Sequence, residues 1–168
     1  MNLHPDELQT VLEPALNAMG FKLWGVEVIS QQHYPLMKVY VEGNEGPINI
    51  GQIGQASHQV IDSLRLNGVN TEQMYLEVSS PGMNRRLFTL AQCEAYVGQM
   101  IVVKLRQALL GRQKYKGVLT AVTAGNLVMQ PEDSESLDCP WDLVVKANVI
   151  ADLRAYLTSE KGGKKGHE

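Results

Sequence analysis

Ser79 and Ser80 stand before Pro81-Gly82 in the stretch LEVSSPGMNRRLF, residues 76 to 88, and a serine beside a tight turn is one place where a hydrolase carries its nucleophile. That chemistry needs a base oriented by a carboxylate. No G-x-S-x-G elbow surrounds either serine, and His4, His33, His58 and His167 are scattered without an identifiable histidine and carboxylate arrangement. The serines read instead as the end of a strand whose hydroxyls hydrogen-bond a turn; no catalytic residue is assigned and no enzyme is expected. No pair among histidine, cysteine, aspartate and glutamate has the spacing of a zinc or calcium loop, so neither metal nor other cofactor is expected. Cys93 and Cys139 lack C-x-x-C spacing and fit a reducing compartment better than a disulfide scaffold, which points to the cytoplasm.

Phosphate recognition is the chemistry that remains. GQIG, Gly51 to Gly54, matches the G-x-x-G with which KH domains clamp a nucleotide backbone, but it falls in the first turn of a helix, where packing against a strand explains glycine equally well. The basic residues are more telling. Lys104, Arg106, Arg112, Lys114 and Lys116 come without an acid among them, whereas Glu132, Asp133, Glu135, Asp138 and Asp142 cluster without a base. Lys104 and Arg106 close one expected strand, Arg112 and Lys114 fall in a loop, and Lys116 opens the next strand. A hairpin there gathers all five near one end. A solvated loop explains such a run too, while the missing acids and the neighbouring Tyr115, a ring on which a base can stack, fit a surface that tracks phosphates.

Ser80-Pro81-Gly82-Met83 fits a type II turn, in which proline presets φ at the second position and glycine supplies positive φ at the third. Ser79, Ser80, Pro81 and Gly82 therefore form a turn at a domain junction. Arg85 and Arg86 lie just beyond it, and either brace an interface through carboxylates or point outward to phosphate.

The elements that must position these residues follow from periodicity. Leu8, Val11, Leu12, Ala15, Leu16 and Met19 fall on one helical face, with Pro5 in the first turn and a bend expected at Pro14. Residues 21–30 and 36–42 alternate as strands, with Trp24, Val26 and Val28 expected on one face of the first. Asn49 with Gln52 at N3 caps a second helix that Asn67-Gly68 ends, and a strand at 74–80 completes an α-β-β-α-β unit, three strands with two helices. Thr89 and Gln92 then open a short helix. Short strands near 99–105, 115–122, 126–130 and 148–152 suggest a small barrel of the SH3 or Sm type. The fold class is α+β, with an N-terminal α/β domain at 1–86, a C-terminal SH3-like barrel at 87–155 and a flexible tail at 156–168.

The chain of 168 residues is 44% hydrophobic and 20% charged, enough to bury a real core, and its N-terminus lacks the basic start and apolar run of a signal peptide. A net charge of -3 hides an asymmetry: residues 1–88 carry 5 basic and 9 acidic side chains, residues 89–168 carry 10 and 9. A uniformly basic nucleic-acid binder is excluded, and a dipolar second half with one basic and one acidic edge is expected.

Across nearly its whole length the chain resembles the bacterial ribosome maturation factor family RimP. LEPALNAMGFKLWGVEV is similar to the family's first helix and strand, YLEVSSPGMNRRLFTLAQCEAYVGQMIVVKL to its most distinctive segment, and KYKGVL with CPWDLVVKANV to its barrel. Leu76 to Gly82 matches the family signature at every position, and Arg85 also fits. The family usually has aspartate at the position of Asn84 and proline at that of Arg86. The resemblance implies an assembly factor without a catalytic centre, acting as a monomer on the free 30S ribosomal subunit. It implies as partners 16S rRNA and a basic small-subunit ribosomal protein of the decoding region. The rRNA-facing residues expected here are Arg85, Arg86, Lys104, Arg106, Arg112, Lys114 and Lys116. A Sm-like RNA chaperone acting on small RNAs is the alternative.

Overall fold

Leucines spaced four apart make the first element: α1, Pro5–Ala18, buries Leu8, Leu12 and Leu16 completely. Burying each stabilises the fold by roughly 1.5–3 kcal/mol. Pro5 needs no N–H at the first helical position, and the unexpected cap is His4, whose Nδ1 accepts a hydrogen bond from Asp6 N–H at 3.3 Å. Pro14 lies inside this helix on its exposed side. The computed structural model describes residues 4–151 of the chain, which divides into two compact units, Met1–Pro81 and Gly82–Glu168.

In the first unit, β1 (Phe21–Ile29) pairs antiparallel with β2 (Leu36–Gly43), and β2 pairs parallel with β3 (Tyr75–Ser79), in the order β1-β2-β3. The parallel pair needs a crossover, which α2 (Ile50–Leu66) provides. Its start is set by a complete capping box: Asn49 Oδ1 accepts from Gln52 N–H at 2.8 Å, and Gln52 Oε1 accepts from Asn49 N–H at 3.0 Å. Leucines of α1, Ala56, Val60 and Leu64 of α2, and Met37, Val39 and Val41 of β2 share one core. One expectation is corrected in β1. The pairing slips between Leu23 and Gly25, so Phe21 and Leu23 join Val26 in that core, while Trp24, the extra residue of the bulge, is buried outside it. A bulge reverses the two-residue phase, which is why strict alternation placed Trp24 with Val26.

The second unit is a six-stranded antiparallel sheet. β4 (Arg86–Leu87), β5 (Met100–Leu109), β6 (Arg112–Val122), β7 (Asn126–Pro131), β8 (Leu137–Pro140) and β9 (Val144–Val149) lie in the order β4-β9-β5-β6-β7-β8. The short helix α3, Leu90–Cys93, follows β4, with Thr89 Oγ1 accepting from Gln92 N–H at 3.1 Å. Ile101, Val103, Leu105, Tyr115, Leu119, Leu127, Met129, Ala147 and Val149 are buried. Pattern reading missed β4 and β8, which hold two and four residues, and placed the last strand at 148–152, where residue 152 lies outside the described residues. The end of the expected second domain at 155 and the expected tail 156–168 also lie outside them.

Arg112 and Lys114 belong to a strand and not to a loop. The β5–β6 turn is only Leu110-Gly111, both at positive φ (50° and 86°), so the ladder continues to the Leu109–Arg112 pair. Two residues of that kind form the hairpin turn whose twist matches its strands, but leucine is a poor signal for it. Further along β6, Gly117 is required by space: a Cβ there would meet the backbone oxygen of Gln130 at 2.1 Å and Pro131 Cα at 2.6 Å. Among the described residues no helix is long and apolar enough to cross a membrane.

Candidate nucleic-acid interface

Strand alternation decides where the basic residues point. On β5, Ile101, Val103 and Leu105 are buried, which turns Lys104 to the opposite face, where it is exposed. Lys104 pairs directly with Lys114 of β6 on one side and with Lys146 of β9 on the other. Three exposed lysines thus stand in register across three adjacent strands. Neighbouring strands lie about 4.8 Å apart, so the row spans roughly 10 Å. Two residue pairs along, on the same face, Val102 lies between Lys116 and Asn148, and Asn148 in turn faces Arg86 of β4. Arg106 is exposed two residues beyond Lys104. Lys146 was not among the residues expected from the sequence. Nothing in VVKAN marks it, because only the β5–β9 pairing brings it beside Lys104.

The acids that are distant in sequence return here. Arg112 Nη1 donates to Asp133 Oδ1 at 2.8 Å, and Lys116 Nζ lies 4.0 Å from Glu132 Oε1. The hydrogen bond from Arg112 holds the Asp133 carboxyl below its ordinary range, and Asp133 in turn raises the Arg112 guanidinium. Asp138 Oδ1 accepts from Asn126 Nδ2 at 2.8 Å. The expected separation of basic and acidic edges is therefore not what these residues form. The antiparallel β6–β7 pairing continues at Glu132, whose N–H donates to Lys116 O at 3.1 Å, and so carries two acids to β6.

Tyr115 is also corrected. It is 2% exposed, its hydroxyl donates to Leu109 O, and the Arg112 guanidinium lies 4.7 Å from its ring centroid. The ring packs inward on the core side of β6 and offers no platform for a base. Its neighbours Lys114 and Lys116 point the other way, as a period of two requires.

The stretch that joins the units places its residues differently. Ser79 ends β3 and is half-buried, Ser80 is exposed, and Gly82 has φ +73°. Arg85 turns back, its Nε donating to Gly82 O at 2.9 Å, while Arg85 O accepts from Val149 N–H at 2.9 Å. Asn84 Oδ1 accepts from Ala151 N–H at 2.8 Å, which ties this segment to the end of β9. Arg86 is half-buried in β4, its Nη2 donating to Val145 O at 3.3 Å and its guanidinium lying 4.8 Å from the Phe88 ring centroid. The structure therefore brings Arg86 to the sheet face that carries the lysines, while Arg85 stays by its turn.

Other candidates lie elsewhere. Gly51 and Gly54 are exposed in α2, and open space surrounds Gly54 where a Cβ would be, so strand packing does not account for it. An adjoining open cleft of about 570 Å³ is lined by Gly43, Asn44, Glu45, Gln52 and Gln55 among others, with no basic side chain. Cys93 and Cys139 are buried free thiols, and burial raises the Cys93 pKa to about 11. Among the described residues no three of histidine, cysteine, aspartate and glutamate converge to hold a metal ion.

What these surfaces serve is narrowed by the first unit. Residues 11–84 match the family model described as the RimP N-terminal domain, a span that runs from α1 through β3 to the Pro81-Gly82 turn. Over that span the chain is similar to the RimP family.

Proposed function

We propose that this chain is a maturation factor of the 30S ribosomal subunit, one that binds the free subunit and helps 16S rRNA and a basic decoding-region ribosomal protein settle. The observation that carries this reading is the match of residues 11–84 to the RimP N-terminal domain, since RimP proteins are ribosome maturation factors. The cationic sheet face of the second unit supports it, because an assembly factor that must leave its substrate benefits from modest, salt-sensitive contacts to phosphate. On this reading the second unit is an SH3-like barrel, the factor acts in the cytoplasm as a monomer, and it performs no catalysis. Arg86, Lys104, Arg106 and Lys114 face rRNA, whereas Arg112 and Lys116 contribute less because Asp133 and Glu132 lie against them. Arg85 serves the junction through Gly82. The acidic surface of the first unit faces the basic ribosomal protein.

Co-sedimentation with free small subunits, large subunits and intact ribosomes at two salt concentrations tests this. Pelleting with free small subunits alone, weakened by salt, is the expected result. Failure with all three by a folded protein overturns the reading. If the protein also forms rings by light scattering, the Sm-like chaperone of small RNAs replaces it.

A further inference from the structure

Like charges placed directly opposite one another on neighbouring strands destabilise a sheet, yet Lys146, Lys104 and Lys114 occupy one row on β9, β5 and β6. Three acids of this unit engage elsewhere: Asp133 with Arg112, Glu132 with Lys116, and Asp138 with Asn126. Among the described residues no salt bridge reaches Lys104 or Lys146. Between Lys104 and Lys146, a repulsion that no ion pair among the described residues offsets indicates charge that is neutralised by something bound.

We propose that the Lys146–Lys104–Lys114 row is a rail for RNA backbone phosphates, with Lys146 as a binding residue at its β9 end. This rests on the reading of the chain as a factor that engages ribosomal RNA. The row spans roughly 10 Å at about 4.8 Å per strand, long enough to meet more than one phosphate of a strand, since phosphates follow about every 3.4 Å of axis in one strand of duplex DNA. Asn148 and Arg86 extend the same face with hydrogen-bond donors. The ligand is RNA backbone and not an acidic protein, because a regular row of like charges matches a repeating anion and the two rows contain no aromatic anchor of the kind that protein interfaces use. Ammonium groups are point charges without the planar fork that reads a base edge, so the rail grips without regard to sequence.

The full chain and its Lys104→Gln, Lys146→Gln and double variants are titrated with a labelled short RNA duplex over a series of salt concentrations, and each is also pelleted with free small subunits. Thermal unfolding of each variant is followed in parallel. Each substitution is expected to reduce the slope of log K against log salt by roughly 0.7–0.9. The melting temperature is expected to hold or rise, since repulsion across the strands is removed. Lys146→Arg keeps the slope, and Lys22→Gln in β1 of the other unit leaves affinity unchanged. An unaltered slope in the folded single variants overturns the rail, as does a wild-type chain that does not bind the duplex. A loss of melting temperature with binding intact also overturns it, since the lysines would then be structural. If the wild type pellets with small subunits while the variants keep their slopes, the rail fails and the subunit reading stands. If the duplex is held with the expected slopes but no subunit pellets, the rail stands and the subunit reading fails.

Discussion

The two units solve the burial problem differently, and their surfaces differ as a result. In Met1–Pro81 two helices cover one face of a three-stranded sheet, and the core is shared between leucines of α1, small and branched residues of α2, and alternate residues of β1 and β2. In Gly82–Glu168 the buried side chains come mostly from alternate positions of the six-stranded sheet itself, which leaves a second face of long side chains. Charge follows the same division. Residues 1–81 contain three lysines and arginines against nine acids, residues 82–168 twelve against nine. A net charge of -3 thus describes neither unit. A helix-covered sheet needs its polar residues only for solubility, whereas a sheet face in register turns side chains from separate strands into an array.

This contrast can be broken or sharpened by substitution. The largest effect is expected in the first core: Leu12→Ala removes a fully buried side chain of α1 and should cost about 2–5 kcal/mol of stability in urea unfolding. The salt slope of RNA binding at low temperature should not move; if it does, the division of roles between the units is wrong. Gly117→Ala comes next, because its Cβ has to displace backbone of β7 and should destabilise the second unit by about 1–3 kcal/mol or more. Retained stability would mean that the β6–β7 approach is looser than described. A smaller effect should follow Asp133→Asn, which releases Arg112: the salt slope for RNA should steepen by roughly 0.7–0.9. An unchanged slope would remove Arg112 from the RNA-facing set. The smallest is Leu110→Asn at the hairpin tip, where leucine is 82% exposed at φ 50° and asparagine tolerates that backbone better; a gain of about 0.5–1 kcal/mol is expected. No gain would mean that the exposed leucine contributes packing not evident from its accessibility.

The first unit was largely legible in its sequence because its signals are local. Leu8, Leu12 and Leu16 repeat within one helix, and Asn49 with Gln52 marks a helix start within four residues. The error there, Trp24, came from a bulge that no residue type announces. The second unit was legible as several antiparallel strands and less so in detail, since β4 and β8 are too short for a period and Leu110 disguises a two-residue turn. The basic residues were found as a run, but two of them lie against acids that return by the β6–β7 pairing, and Tyr115 faces the core.

By itself, the order of residues determined the helices and main strands, the α-β-β-α-β arrangement of the first unit and the resemblance carried by Leu76 to Gly82, all of which depend on neighbours a few positions apart. Tertiary structure alone decided which charges stand together. Lys146 reaches Lys104 across forty-two positions only because β9 lies beside β5, and Arg112 meets Asp133 only because the chain turns back after β7. Strand registry is set by the sum of many pairings and buried side chains, and a difference of one residue would send every one of those lysines to the opposite face.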